Sequence, residues 1–275
     1  MIRSNKVRQS IQKLQASFKG KTAIDGSSVL IPSGNESEYV KQLQQNGFIE
    51  IENKISGETL DEIVNFSKEL KLFDPFNRKF GDFNYEQIPE NTHVANFHRN
   101  DLVGNKSIMD IANDPGVLRV VQDFLGAKPT ISNVNMWWSI AGKSQAKDAQ
   151  LFHRDVDDVK FCKLFLYLTD VSLDSGPHTY VKGSSSTNKL TKIRRYQDEE
   201  IEKAFGKENI IDLVRPKGSC FIVDTYGFHR GLLPEKNNRL LLQIQYSLNP
   251  IGIEKYEPQE IESTYDKYIN RLLIK

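Results

Sequence analysis

The chain has 275 residues, of which 38% are hydrophobic and 27% charged, and its formal net charge is +1. This composition is typical of a globular protein and excludes a disordered chain, and the small net charge removes the electrostatic argument for a nucleic-acid partner. No apolar run approaches the length of about 18 residues that predicts a transmembrane segment, and the N-terminal sequence lacks the apolar stretch of a secretory signal. Both cysteines lie in apolar segments, which favours free thiols and a cytoplasmic location.

Residues 1–35 are predicted to be a basic amphipathic helix followed by a connector. The first 21 residues contain six Lys or Arg and no acid, and apolar side chains recur at helical spacing at Val7, Ile11, Leu14 and Phe18. The helix is expected to pack against its own domain or to fray. A weak contact with an anionic membrane surface is a second interpretation, because basic amphipathic helices can bind lipid headgroups.

Residues 36–128 are predicted to supply supporting helices and a lid. Capping residues, apolar periodicity and one short apolar run define the elements. They are a helix from Glu36 to about Gln45 that ends at Gly47, a strand over 48–51, a helix capped by Ser56, and a helix over 108–125 with a bend or restart at Pro115. Residues 73–100 lack clear periodicity and are predicted to be a long loop excursion, where functional residues are often found.

Residues 129–250 are predicted to be the β core of a single domain spanning residues 1–275, mostly β with N-terminal helices. Short apolar or alternating runs, many of them separated by Gly, Pro, Asn or Asp, favour an antiparallel sandwich or barrel. The predicted strands are 130–140, 160–168, 178–181, 210–214, 218–223 and 239–248. Residues 188–205 are a predicted polar insert, and residues 251–275 are a predicted C-terminal tail.

Two histidines, one aspartate and one arginine stand in an order that predicts a metal centre. His153 and Asp155 form an H-x-D dyad before a predicted strand, and His229 follows another strand. Side chains two positions apart in an extended chain point to the same side, and two imidazoles with one carboxylate can occupy one face of an octahedral Fe(II). Arg239 can grip a carboxylate with both arms of its guanidinium. Each residue alone has an ordinary structural interpretation, but their order and spacing together favour the metal centre.

In these motifs the sequence resembles the phytanoyl-CoA dioxygenase family of Fe(II)/2-oxoglutarate-dependent oxygenases. The resemblance covers residues from about 129 to 249 and is fainter over 39–70. The segments that carry it are 151–155, 165–171, 174–178, 181–185, 218–219 and 229–231, together with Asp224 and Arg239. Ser185 departs from the family, which usually has His at the end of a G-S-H tail, but that position is not one of the family's metal ligands.

The resemblance implies a double-stranded β-helix, the jelly-roll or cupin-like core of these oxygenases, buttressed by α-helices. It implies iron held by His153, Asp155 and His229, and it places Arg239 on the distal carboxylate of 2-oxoglutarate, whose keto-acid end chelates the iron. Related halogenases lack the carboxylate ligand. Because this chain keeps it as Asp155, halogenation is not expected here. The default reaction is oxygenation with O2, most often hydroxylation of an unactivated C–H bond, with release of succinate and CO2.

Strand alternation adds candidates for the walls of the site. Asn135 and Trp137 share a face of the strand upstream of the dyad, and Lys163 and Gln245 lie on comparable faces of later strands. Polar side chains inside a small barrel suggest a lumen filled by water or ligand, so these four residues are predicted to contact the cofactor. The alternative is ordinary strand alternation with the polar face in solvent.

Three further residues are predicted to contact the substrate. Tyr167 shares the strand face of Lys163, whereas His98 and Arg99 lie in the loop excursion, which the resemblance implies covers the mouth of the site. Solvated loop residues are the alternative interpretation of His98 and Arg99. His178 follows Gly-Pro in a predicted turn and is given a structural role only.

Two alternative functions remain open. The first is a non-catalytic jelly roll that binds a sugar or another small ligand and keeps a vestigial metal site. The second is a cupin-type iron enzyme that uses no keto acid, in which Arg239 has no co-substrate to bind. The polar pocket faces favour a small polar metabolite, a saccharide or a natural-product intermediate as substrate, and the oligomeric state is not predicted.

Overall fold

Residues 4–275 are described by a computed structural model, and Arg3, one of the six basic residues at the N-terminus, lies outside the described residues. Within this range the helices are α1 (Asn5–Lys19), α2 (Glu36–Asn46), α3 (Gly57–Lys68), α4 (Arg99–Val103), α5 (Lys106–Ala112), α6 (Pro115–Leu125), α7 (Asp198–Phe205) and α8 (Lys267–Asn270). None of the helices between residues 4 and 275 has the length and apolar character needed to span a bilayer.

The strands form two antiparallel sheets. They are β1 (Phe48–Ile51), β2 (Leu72–Phe73), β3 (Asp82–Phe83), β4 (Val94–Phe97), β5 (Thr130–Ser139), β6 (Phe161–Tyr167), β7 (His178–Val181), β8 (Ile210–Leu213), β9 (Cys220–Val223), β10 (His229–Gly231) and β11 (Arg239–Ser247). The larger sheet has the order β1-β9-β6-β11-β5-β4-β2-β3, and the smaller sheet has the order β10-β7-β8. The prediction of a mostly β protein with supporting helices is confirmed, and every predicted strand forms with ends shifted by at most two residues.

Alternating side chains of the central strand β11 face two different layers. Leu242 and Ile244 belong to the main core cluster, which they share with apolar residues of the helices. Leu241 points to the opposite side and belongs to a second cluster with Tyr167 of β6 and Tyr180 of the smaller sheet. The helices therefore cover one face of the larger sheet, and the candidate site lies on the other face, towards the smaller sheet.

The loop excursion predicted over 73–100 is partly wrong, because it contains β3 and β4. Strand β4 pairs with β5 and so extends the larger sheet, with Val94 opposite Ser139 and Asn96 opposite Trp137. A strand of four residues without clear alternation gives little signal in the sequence. This pairing brings the excursion to the edge of the candidate site. The predicted polar insert over 188–205 likewise ends in a helix, α7.

Helix α1 forms where the sequence predicts it, but it packs through the unexpected face. Val7, Leu14 and Phe18 are exposed, whereas Asn5 and Arg8 are buried. The side chains of Asn5 and Arg8 donate hydrogen bonds to backbone carbonyl oxygens in distant parts of the chain. The helix therefore contacts its own domain through polar side chains, and its contact with a membrane surface stays a prediction.

The helix predicted over 108–125 forms as two helices, and the predicted restart at Pro115 is confirmed. Helix α5 ends at Ala112, and α6 begins at Pro115. Proline suits this first position, because a backbone N–H there would have no acceptor within the helix. The buried carboxylate of Asp114 caps α6 by accepting from the backbone N–H of Val117 at 3.0 Å. Asp114 also accepts from the backbone N–H of Val29 at 3.0 Å, and so ties the N-terminal connector to α6.

Replacing Asp114 with alanine is expected to lower the free energy of unfolding by about 2 kcal/mol, because the capping bond is lost and the Val29 N–H is left without a partner. Chemical denaturation monitored by circular dichroism measures the change. Asp25→Ala is the control, because Asp25 is exposed and lies on the same connector. Equal stability of the two variants would show that Asp114 does not hold the connector.

Candidate metal centre

His153, Asp155 and His229 come together around one point. One potential ligand atom from each side chain lies within 4.8 Å of the other two. The nearest Asp155 oxygens are 3.5 Å from Nε2 of His153 and 3.4 Å from Nε2 of His229. Two imidazole nitrogens and one carboxylate oxygen on one side of a cavity are a donor set that suits a divalent transition metal with open positions.

Backbone pairing holds the two histidines side by side. His153 and His229 form an isolated antiparallel bridge, in which each backbone N–H donates to the carbonyl oxygen of the other. Nδ1 of His153 bonds to the Leu151 carbonyl at 2.9 Å, and Nδ1 of His229 bonds to the Gly227 carbonyl at 3.0 Å. Since a carbonyl oxygen only accepts, each Nδ1 donates, and Nε2 is the nitrogen of each ring that is left for a metal.

The side chain of Lys163 holds the carboxylate of Asp155. Its ammonium lies 2.7 Å from Oδ2 of Asp155 and 3.4 Å from Oδ2 of Asp157, and the lysine is only 8% exposed. Burial raises the pKa of Asp155, but the Lys163 ammonium outweighs burial and holds that pKa well below its usual range. Burial lowers the pKa of Lys163, but the two carboxylates reverse this effect and raise it above its ordinary value. The carboxylate is therefore ionised and oriented before any metal binds.

Replacing Lys163 with methionine is expected to weaken metal binding by about tenfold to a hundredfold, because Asp155 loses the hydrogen bond that orients it. The dissociation constant of Co(II), measured by its visible absorption, reports the change. Lys160→Met is the matched control, since Lys160 pairs with Asp224 at 2.9 Å and does not line the cavity that contains the triad. Lys163→Arg keeps the charge and is expected to recover part of the affinity. Unchanged Co(II) affinity in Lys163→Met would contradict the positioning role.

Arg239 lies at the end of the cavity formed with the smaller sheet, and its guanidinium is almost fully buried. One terminal nitrogen donates to the carbonyl oxygen of Gly176, and the other donates to the Ser139 hydroxyl at 3.1 Å. Nε has no hydrogen-bond partner among the described residues. Burial lowers the pKa of Arg239, although an arginine in a protein stays protonated. A buried cation that has no carboxylate partner within residues 4–275 is an arrangement that favours an anionic ligand.

The triad and Arg239 line the same cavity, which has a volume of about 270 Å³. Of the residues predicted to contact the cofactor, Asn135, Trp137 and Lys163 line it as well. The structure thus brings together seven of the predicted site residues, although they come from five separate segments of the chain. Their contacts with a metal or co-substrate stay predictions.

Gln245 and Tyr167 do not line this cavity. Gln245 lies on the expected face of β11, but Gln243, two residues earlier, lines the cavity instead. Alternation gives the face of a strand and not the position along it where a cavity ends. Tyr167 is fully buried between the two sheets, where its hydroxyl donates to the Leu213 carbonyl and accepts from the backbone N–H of His178, both at 2.9 Å. Tyr167 therefore joins the sheets and is out of reach of a ligand in the cavity.

His98 and Arg99 also lie outside the cavity, and other side chains hold both of them. Nε2 of His98 lies 3.0 Å from Asp82, and Arg99 pairs with Glu254 at 2.9 Å. Arg99 further donates to a backbone carbonyl in the C-terminal segment. Both residues therefore have structural partners, which agrees with the ordinary interpretation of charged loop residues.

His178 is a cavity residue that the sequence analysis missed. It is only 5% exposed, its ring stacks on His229 at a centroid distance of 5.5 Å, and its Nε2 has no partner among the described residues. Burial holds the pKa of His178 well below its ordinary value, and the Arg239 guanidinium lowers it further, so the ring is neutral. The sequence signal for this residue is a histidine within the short apolar strand H-T-Y-V. A buried imidazole needs a polar partner, so such a histidine indicates a polar site nearby.

A family model described as phytanoyl-CoA dioxygenase (PhyH) matches residues 43–232. The matched residues include the triad, whereas Arg239 lies beyond them. No curated protein sequence shows significant similarity to the chain.

Several solved enzyme structures have a similar fold. HygX from Streptomyces hygroscopicus, with nickel and 2-oxoglutarate bound, is 16% identical, with 82% of this chain and 92% of HygX covered and a TM-score of 0.56. The epimerase SnoN from nogalamycin biosynthesis is 13% identical over 81% of this chain and 88% of SnoN, with a TM-score of 0.54. The carbocyclase SnoK from the same biosynthesis is 13% identical over 82% of this chain and 86% of SnoK, with a TM-score of 0.55. At such low identities the likeness shows the fold alone, and it confirms the jelly-roll core.

Proposed function

We propose that this chain, which belongs to the phytanoyl-CoA dioxygenase (PhyH) family, is an Fe(II)- and 2-oxoglutarate-dependent oxygenase. The proposed reaction is hydroxylation of an unactivated C–H bond, with release of succinate and CO2. The proposed substrate is a small polar metabolite, a saccharide or a natural-product intermediate. One observation carries the proposal: the triad and the buried guanidinium of Arg239 line the same cavity.

The donor set fits the proposed metal and co-substrate. His153, Asp155 and His229 supply three ligands on one side, which leaves positions of an octahedral ion open to a chelating keto acid and to O2. Arg239, whose Nε has no partner, supplies a cation for a second carboxylate. Since 2-oxoglutarate carries a keto acid at one end and a carboxylate at the other, its two ends match the two polar regions of the cavity.

When bound, Fe(II) supplies with 2-oxoglutarate and O2 the oxidising power that removes a hydrogen atom from carbon. The chain itself positions the reactants. Arg239 would hold the far carboxylate of the co-substrate, and Ser139 and the Gly176 carbonyl fix the direction of its guanidinium. Lys163 holds the carboxylate of Asp155, which would keep this ligand in place for the metal. Orientation of this kind lowers the barrier because the reacting atoms meet without further ordering.

Apolar walls complete the site. Trp137, Phe165 and Leu241 line the cavity between the polar groups. Phe165 also packs against His178 at a centroid distance of 4.8 Å and so helps to hold this neutral ring in place. Such walls limit the entry of water and strengthen the electrostatic contacts of the buried charges.

The mass of the product tests the proposed reaction. Enzymes of this fold include an epimerase and a carbocyclase, and their reactions change the mass of the substrate differently from hydroxylation. Purified protein with Fe(II), 2-oxoglutarate and O2 is incubated with a panel of sugars, glycosides and small polar metabolites. Hydroxylation predicts succinate release together with a product that has gained one oxygen atom. A product of unchanged mass or one that has lost two hydrogen atoms, formed with the same succinate release, would replace hydroxylation by epimerisation or ring closure.

The non-catalytic jelly roll makes a different prediction. It predicts binding of a small ligand without succinate formation for every compound in the panel. The retention of all three triad residues and of Arg239 favours the enzyme. A slow release of succinate without any added substrate, absent when Fe(II) is withheld, would already exclude the non-catalytic alternative.

A further inference from the structure

A second pocket of about 220 Å³ adjoins the cavity of the metal centre. The two share four lining residues, Phe76, Val94, Ala149 and Gln150. The second pocket is formed by the excursion before β4 and by the segment just upstream of the H-x-D dyad. Because 2-oxoglutarate and the reacting carbon must share the first cavity, the second pocket offers room beyond the junction for the rest of a larger substrate.

The junction holds a buried amide with an unused donor. Gln150 is 5% exposed, and its Oε1 accepts from the backbone N–H of Lys147 at 2.9 Å, which fixes the orientation of the amide. Its Nε2 has no hydrogen-bond partner among the described residues. A buried amide without a partner costs free energy, and a ligand that accepts a hydrogen bond removes the cost.

The same amide holds the ring of His93. Nδ1 of His93 bonds to Oε1 of Gln150 at 3.0 Å, and because the amide oxygen only accepts, the ring nitrogen donates. Nε2 of His93 is then the ring nitrogen left for a ligand, and His93 lines the second pocket. A hydroxyl group both donates and accepts hydrogen bonds, so it suits the unused N–H of Gln150 together with the free ring nitrogen of His93.

Two phenylalanines supply an apolar wall. Phe76 is 59% exposed and Phe80 is 39% exposed, and both line the second pocket. The turn that carries Phe76 is fixed by Asp74, whose carboxylate accepts from the backbone N–H of Phe76 at 2.8 Å and from the Thr92 hydroxyl at 2.9 Å. Large aromatic side chains that stay exposed on a fixed turn indicate a ligand with an apolar face.

We propose that the second pocket binds a saccharide ring of the substrate that is not itself oxidised. A sugar ring combines hydroxyl groups at its edge with a C–H face, and these match the Gln150–His93 pair and the two phenylalanines. The inference rests on the proposed function for the identity of the reacting end. It adds that the substrate is a glycoside or oligosaccharide. Its reacting end would lie in the cavity of the metal centre, and its remote ring would be bound in the second pocket.

The test uses methyl β-D-glucopyranoside as probe and methoxycyclohexane as a ring of similar size without hydroxyl groups. The full chain is loaded with Zn(II) and 2-oxoglutarate, and binding is followed by saturation-transfer NMR and titration. The glucoside is expected to bind and the cyclohexane ether to bind less well. Gln150→Glu keeps the acceptor oxygens and removes the donor, and it is expected to weaken glucoside binding by about tenfold. Phe76→Ala is expected to weaken it as well, whereas Phe18→Ala, an exposed phenylalanine of α1, is expected to change nothing.

Two results would overturn the proposal: no detectable glucoside binding, or equal binding to Gln150→Glu, Phe76→Ala and the unsubstituted chain. The same preparations, loaded anaerobically with Fe(II) in place of Zn(II), report the state of the metal centre through their visible absorption with 2-oxoglutarate. Loss of that absorption with retained glucoside binding refutes the proposed function and leaves the sugar pocket. Normal absorption without glucoside binding refutes the sugar pocket and leaves the proposed function.

Discussion

Replacing His229 with alanine is expected to remove tight metal binding and to lower succinate formation by about a thousandfold or more. Only His153 and Asp155 then remain, and two protein donors do not form the face of three that the ion requires. The bridge between His153 and His229 is made by the backbone, so it survives the substitution and the fold is expected to persist. Iron content after dialysis and the rate of succinate release measure the two effects.

His98→Ala is the matched control for this experiment. His98 is also a histidine of the predicted site, but it pairs with Asp82 and does not line the cavity. It is expected to keep both iron and turnover. If His229→Ala retains iron to the same extent as His98→Ala, His229 is not a metal ligand, and the proposed metal centre of His153, Asp155 and His229 is wrong.

Replacing Arg239 with leucine is expected to raise the KM for 2-oxoglutarate by about a hundredfold and to leave metal affinity nearly unchanged. A charge-assisted pair of hydrogen bonds to a buried carboxylate contributes about 3 kcal/mol, and leucine leaves no cation at this end of the cavity. Arg239→Lys keeps the positive charge but not the two-armed guanidinium, and its KM for 2-oxoglutarate is expected to lie between those of Arg239→Leu and the unsubstituted chain. Succinate formation against 2-oxoglutarate concentration gives KM, and a Co(II) titration gives the metal affinity.

The Arg239 series also tests the iron enzyme that uses no keto acid. That enzyme predicts the same substrate turnover in Arg239→Leu as in the unsubstituted chain. Arg194→Leu is the control for a general effect of losing an arginine, because Arg194 lies at the surface and pairs with Glu200. The thermal midpoint of each variant separates a loss of fold from a loss of co-substrate binding.

Local patterns in the sequence predict most of the fold. Ser56, Gly47 and the alternation in β11 each depend on near neighbours in the chain, and each gives the expected element. Strand β4 and the orientation of α1 depend instead on distant partners. The pairing of β4 with β5 and the burial of Arg8 against another segment leave no local trace, so periodicity alone cannot predict them.

The same distinction holds for the candidate site. The order and spacing of His153, Asp155, His229 and Arg239 predict the centre, and the resemblance adds the role of each residue. The cavity itself requires the packing of two sheets, and that packing decides that Gln243 reaches it and Gln245 does not. His178 follows Gly-Pro in the sequence, but its strand pairs with β10 and so lies beside His229. Neither outcome can be derived from alternation within one strand.

The most direct test of the proposed centre is an anaerobic titration of the full chain with Fe(II) and 2-oxoglutarate, followed by visible absorption. Convergence of three side chains on one iron beside Arg239 predicts a weak charge-transfer band that saturates at about one equivalent of iron, since the donor set has room for one ion. His153→Ala is expected to lose the band. The same band, with the same stoichiometry, in His153→Ala would contradict the centre.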